Sequence, residues 1–530
     1  MTERFPLGAV IAVALGFAMI VLGAHLFAYD PTDELPATSI APQPHARIRA
    51  LSPKRAAGEK RVFFIGASMT AGYPYTDGRA SYARQMNAGL TAVYGNDDVF
   101  VHDYAKPALD SRELVHLVDR VLEDYDPSCV CVTLGSNEFA NRIFSGRKLV
   151  PSTLLEEIGE HASRARIAFR ELPTLRIADE EARQAQLRDR LDDAKNLEPL
   201  FGALPVGERD AALLTRRLRH RMQHMSDACR AKGVPLVFVV AVYGLGGFWP
   251  WGISGPPVAE IDELVQATWT DFDAARAREI RPRVEALIEE HGARADVRFL
   301  YGTVLRACGE LRAARKQFLL ARDQDAVPMH QIGMVRDAIQ EVAKAQGRAC
   351  LVLDDAFYGP GAALPDTSEF LDYGHLSEAG ARRAATWLTR ELARLGRVPV
   401  LPEGWEKKFT TAAEQYVRAS LPPLELALAM PGIAASNTNF SMMFGNFRDA
   451  LPWLAISVPG YLRHPELTTK IDQKWHLVQC VYQLSGRYEA AQALPDADRT
   501  ALLADLDQQI NQAVLGNRVW PWIFEQLAKR

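Results

Sequence analysis

Five short apolar runs govern what this chain can fold into. They are residues 61–65 (RVFFI), 98–102 (DVFVH), 129–134 (CVCVTL), 235–242 (PLVFVVAV) and 349–353 (ACLVL). Hydrophobicity that is continuous over so short a length, rather than alternating, marks strands buried on both faces. Helical stretches between the runs supply the crossovers that parallel neighbours need. The expected fold class is therefore α/β, a three-layer α/β/α arrangement around a five-stranded parallel sheet. The first three strands follow at ordinary crossover spacing. Two long intervals, about 140–232 and 244–348, then interrupt the pattern and are expected to be helical insertions. A chain of 530 residues exceeds what one core holds, roughly 250–300 residues, so flanking segments should form other units.

At the N-terminus, residues 5–29 read FPLGAVIAVALGFAMIVLGAHLFAY, with no acidic or basic residue except His25. That length suits a membrane span of roughly 20 residues better than a secretory core of about 7–15. An uncleaved anchor at 1–29 is expected, with a cleaved signal or a buried helix as alternatives. Residues 30–58 carry five prolines and read as a linker. The sheet domain is expected over 59–396 and an all-helical module over 402–530, after the break at Gly396 to Pro399.

Within the second interval, residues 297–323 place Tyr301, Leu305, Gly309, Ala313, Phe318 and Ala321 in a pattern resembling a tetratricopeptide hairpin. Tyr482, Gly486, Tyr488 and Ala491 repeat half of it in the C-terminal module, and residues 446–457 resemble another second helix. Their spacing is not the constant repeat of about 34 residues, so unrelated helical hairpins with glycine turns remain an alternative. Six scattered cysteines form no metal-binding pattern. They read as buried thiols, with Cys129 and Cys131 on one strand face; a Cys308–Cys350 disulfide is the alternative. A net charge of −4, from 65 acids and 61 bases, excludes the basic footprint of a nucleic-acid binder.

Candidate chemistry gathers where the expected strands end. The first strand runs into Gly66-Ala67-Ser68, placing a hydroxyl at the carboxyl end of a buried strand, where open α/β sheets bind ligands. Serine needs a base to act as a nucleophile, and the segment Asp372-Tyr-Gly-His375 offers one, with a carboxylate three residues earlier to orient it. Asp354 and Asp355 are alternative partners for His375. Gly135-Ser136-Asn137 ends the third strand and supplies an amide donor for an oxyanion. Trp249 and Trp251, after the fourth strand, suit either stacking on substrate or packing in the core. No HExxH, phosphate-loop or GxGxxG pattern is present.

Together these segments resemble the SGNH (GDSL-like) hydrolases over about residues 61–395, and more closely bacterial members with tetratricopeptide-like segments. Gly66-Ala-Ser68 resembles the first block, Gly135-Ser-Asn137 the third, and Asp372-x-x-His375 the last. Gly72-Tyr-Pro-Tyr75 and Gly135-Ser-Asn-Glu-Phe139 are shared with the closer group. The resemblance implies an SGNH-like sheet, ester hydrolysis through an acyl-Ser68, and a triad of Ser68, His375 and Asp372. It implies an oxyanion hole from Ser68, Asn137 and the backbone of Ala105 or Lys106, with no metal and no organic cofactor. Three positions depart from the pattern: Ala67 replaces an aspartate, Glu138 follows Asn137 in place of aspartate, and the second block reads HDYAKPALDS over 102–111.

The expected protein is a single-pass esterase of the bacterial inner membrane, facing the periplasm or exterior. Its expected substrate is an ester such as an O-acyl group on an envelope polysaccharide, and a protein partner is expected on the C-terminal helices. An O-acyltransferase using the same triad, or a catalytically weak scaffold, are the alternatives.

Overall fold

The computed structural model describes residues 51–72, 78–95, 98–106, 109–135, 137–139, 208–246, 249–250, 258–268, 272–326, 333–358, 364, 369–370, 374–421, 495, 497–498 and 501. The expected anchor, most of the linker, the first insertion up to 207, the C-terminal half-patterns and Cys480 lie outside the described residues. Among the described residues, no helix is long and apolar enough to cross a membrane.

Each apolar run is a strand: β1 (Lys60–Ile65), β2 (Val99–Asp103), β3 (Cys129–Leu134), β4 (Leu236–Val240) and β5 (Ala349–Val352). All pair in parallel, in the order β2-β1-β3-β4-β5. Successive side chains on a strand point to opposite faces, so a sheet covered on both sides needs apolar residues at every position. Val62 and Phe64 enter one core while Phe63 and Ile65 enter the other, all fully buried.

The helices of the first half are α1 (Ser68–Ala71), α2 (Tyr82–Tyr94), α3 (Ser111–Asp124), α4 (Glu208–Ala231), α5 (Ala259–Ala267) and α6 (Ala274–His291). Those of the second half are α7 (Ala295–Ala307), α8 (Leu311–Asp323), α9 (Gly333–Ala345), α10 (Asp354–Phe357), α11 (Glu378–Arg394) and α12 (Trp405–Ser420). Helices α3, α4 and α9 cover the face of Phe63 through Val118, Leu218, Met222 and Ile339. The opposite face, that of Phe64, is covered by α2, α11 and helices α5 to α8 of the second insertion. Helix starts follow local chemistry: the Ser81 hydroxyl accepts from Arg84 N–H to cap α2, and Asp110 with Glu113 forms a reciprocal capping box on α3.

Packing places two further helical elements. The hairpin α7–α8 covers the tetratricopeptide-like pattern, but its apolar stripe belongs to the sheet domain's own core: Leu305, Phe318 and Ala321 are buried in one cluster with Val237 and Val239. Helix α12 lies beyond the boundary expected at 402, yet it docks on the sheet domain. Phe409 is fully buried, and a Cβ on Gly89 of α2 would come 2.3 Å from its ring, so a glycine is required there for the close approach. The break at 396–399 is thus a turn that folds α12 back, with Val398 buried beneath it, rather than a linker between domains.

Cys129 and Cys131 share one core face, as expected, and Cys308 and Cys350 are unbonded thiols. Truncating Phe409→Ala should lower the unfolding free energy by about 3–5 kcal/mol, the usual range for a buried aromatic. Equilibrium urea unfolding checks this, and a change below about 1 kcal/mol would show that α12 is not integral to the domain.

Candidate active site

Strand β1 leaves only Gly66 and Ala67 before α1 begins at Ser68. A Cβ on Gly66 would stand 2.1 Å from Thr70 Oγ1, so this turn closes only with glycine. From Arg61 to Ala71 every residue is buried except Ser68, whose side chain is half-exposed. The turn is braced from below. Tyr82 donates its hydroxyl proton to Thr70 Oγ1 at 3.0 Å, and with that proton committed, Thr133 must donate to Tyr82 at 2.8 Å. One buried phenol therefore ties the serine turn to the end of β3.

His375 approaches from the far end of the sheet domain. Phe370 and Leu376 form an antiparallel bridge, and Ser377 N–H donates to Glu369 O at 2.9 Å. Ser377 then caps α11 by accepting from Gly380 N–H at 3.0 Å. Gly374, just before the histidine, lies against the Met69 methyl and the Tyr243 ring, so the residue after Ser68 packs on the residue before His375. The result is a distance of 2.8 Å between His375 Nε2 and Ser68 Oγ. This is the geometry a general base needs to take a hydroxyl proton. Asp372 lies outside the described residues. Asp354, one alternative partner, is buried and committed to Arg336 at 2.5 Å, with Arg315 at 4.0 Å, while Asp355 is exposed.

Asn137 sits three residues beyond the end of β3, the neighbour of β1. Its Nδ2 donates one hydrogen to Leu109 O at 2.9 Å, and the amide nitrogen carries a second. Ser68 N–H, in the first turn of α1, has no intrahelical acceptor. The expected backbone donors of the second block are differently engaged. Lys106 N–H donates to Gly66 O at 3.1 Å and Ala105 N–H to Asp103 Oδ1 at 3.3 Å. The pairing of β2 with β1 runs past the strand ends, through Tyr104 N–H to Phe64 O, and consumes the Lys106 N–H, while the Asp103 side chain takes that of Ala105.

Trp249 is also placed differently from the stacking alternative. It is 8% exposed and packs edge-on against Phe299, with ring centroids 5.0 Å apart, in the core beside α7. Trp251 lies outside the described residues. Among the described residues, no group of three or more His, Cys, Asp or Glu converges as a metal site would.

Two buried carboxyl groups lie just beyond or at strand ends: Glu138, noted in the sequence only as a departure from the family pattern, and Asp103, which sequence reasoning passed over. Glu138 accepts from Ser111 N–H and from Ser111 Oγ, both at 2.9 Å; burial and the nearby Asp110 push it up to about 8. Asp103 accepts from Ser81 Oγ at 2.6 Å, with Arg84 at 3.8 Å, and burial pushes it up to about 6. The signal available for Glu138 was its place beside Asn137; Asp103 had none beyond ending a strand.

No family model matches the chain, and no curated protein matches it either.

Asp103 makes a testable contribution to stability. Its carboxyl lies above its ordinary 3.8 in the folded protein, so the folded state holds a proton that the unfolded chain gives up. The associated stability is complete below about pH 4 and is lost as pH rises through about 6. Asp103→Asn cannot ionise and escapes that loss. Relative to wild type, its unfolding free energy should improve by about 2–3 kcal/mol between pH 4 and pH 7.5. A pH-independent difference in urea unfolding would contradict the assignment.

Proposed function

We propose that this protein is a serine esterase of the SGNH type, anchored by its N-terminal segment with the sheet domain outside the cytoplasm. The observation that carries the reading is the 2.8 Å contact between Ser68 Oγ and His375 Nε2 at the carboxyl end of a parallel sheet. A half-exposed serine in an otherwise buried turn, met by a half-exposed histidine, is what nucleophilic catalysis at a surface requires.

In this reading Ser68 Oγ attacks the ester carbonyl while His375 Nε2 accepts its proton. The negative charge that develops on the carbonyl oxygen is met by Ser68 N–H and the second hydrogen of Asn137 Nδ2, donors already oriented before reaction. His375 returns the proton to the leaving alcohol, leaving an acyl-serine. Water, deprotonated by His375, then attacks the acyl carbon, and Ser68 recovers its proton as the acid departs. The role proposed for Asp372 is to orient His375 through its second ring nitrogen. An O-acyl group on an envelope polysaccharide fits the proposed compartment.

Turnover of para-nitrophenyl acetate and labelling by a fluorophosphonate probe test the nucleophile. Ser68→Ala should abolish labelling and reduce kcat by at least about 1000-fold, in line with loss of a triad member. Equal turnover by variant and wild type would end the assignment. A reporter fused to the C-terminus should be active only as an exported reporter; a cytoplasmic signal would overturn the topology.

A further inference from the structure

Glu138 presents a problem that the proposed chemistry does not answer. It is only 4% exposed, and a buried carboxylate is costly unless its partners compensate. Those partners form a directed chain. Arg221, on α4, can only donate, so its Nη1, 2.8 Å from Ser111 Oγ, makes that hydroxyl an acceptor. With Glu138 ionised, as it is above about pH 8, the one Ser111 hydroxyl proton goes to Glu138 Oε2, and Ser111 N–H goes to Oε1. Arg221 Nη1 also stands 3.8 Å from Glu138 Oε2 and 3.9 Å from Asp110 Oδ1.

Capping of α3 does not explain this arrangement, because Asp110 and Glu113 already provide a complete capping box. What Glu138 adds is a second tie between two loops. Asn137 holds Leu109 O, and the next residue, Glu138, holds Ser111, two positions further on. Two consecutive side chains at the end of β3 thus grip both sides of Asp110. With both ties made, the Leu109 carbonyl cannot move relative to Asn137. One amide hydrogen is then fixed, and the direction of the other is fixed with it.

We propose that Glu138 is a positioning residue for Asn137, acting through Ser111 and the Leu109 carbonyl to aim the amide at the developing oxyanion. The proposal rests on the esterase reading for its catalytic meaning. The loop geometry it describes stands independently of that reading.

Coupling to Asn137 distinguishes this role from a general structural one. Assayed above about pH 8, where the wild-type carboxyl is ionised, Glu138→Gln keeps the volume but turns an amide group towards one of the Ser111 donors. It should lower kcat about 10-fold with KM within twofold. Asn137→Ala should lower kcat about 100-fold or more. In the Asn137→Ala background, Glu138→Gln should change kcat by less than about twofold, because it has nothing left to position. The same 10-fold loss in both backgrounds would overturn the proposal. If Glu138→Gln fails to fold, as judged by circular dichroism and thermal melting, Ser111→Ala replaces it in the same cycle.

A wild-type protein with no Ser68-dependent turnover would sink the esterase reading alone. The clamp is then read from the Asn137 side-chain amide resonances, assigned by their loss in Asn137→Ala. A shift in Glu138→Gln or Ser111→Ala supports the clamp, and unchanged resonances overturn it.

Discussion

Strand β1 has neighbours on both sides and helices on both faces, and the rest of the molecule is organised by that enclosure. Its backbone groups are committed to β2 and β3, its side chains to two separate cores. A strand so enclosed can meet solvent only where it ends. The turn at Gly66 exploits that exit, because with no Cβ the chain reverses within two residues and delivers one half-exposed hydroxyl. His375 reaches that hydroxyl from the loop before α11. The phenol of Tyr82 ties the serine turn to the end of β3 from beneath.

Much of this was legible in the sequence, for a physical reason. Strands buried on both faces leave uninterrupted apolar runs, and all five runs became strands with ends shifted by at most two residues. Ser68 and His375 were legible because the roles they suit require particular residue types at strand and loop ends. The second-block donors were not legible, because the fate of an amide depends on how far two strands continue to pair. Nothing in HDYAKPALDS reveals that Lys106 N–H still belongs to the ladder. The same limit explains α12. A glycine and a proline end a helix visibly, but whether the following helix returns is settled by the fit of Phe409 into the space at Gly89. Likewise the stripe of α7–α8 shows that the hairpin buries one face, not which surface it buries it against.

The buried ionisable groups form a contrasting layer. The hydrophobic cores would be served as well by apolar residues at 103, 138 and 221, yet Asp103, Glu138 and Arg221 are each less than about a tenth exposed at the side chain. Paired buried charges contribute little net stability compared with apolar replacements, but their geometry is unforgiving. Placed beside the strand ends and nowhere near the middle of the sheet, they restrict loop conformations where apolar contacts, which are non-directional, would not.

The separation of Ser68 and His375 by 307 residues has a consequence in time as well as in space. At a synthesis rate of about 5–20 residues per second, the proposed nucleophile exists for about 15–60 s before its base has been made. During that interval the first three strands can assemble and the hydroxyl is chemically quiet. In the proposed reading, reactivity arrives only when the last strand has joined the sheet and the loop before α11 has closed on Met69. A chain that ends before residue 375 then lacks its base, and the contact that would switch it on comes only after all five strands have been made.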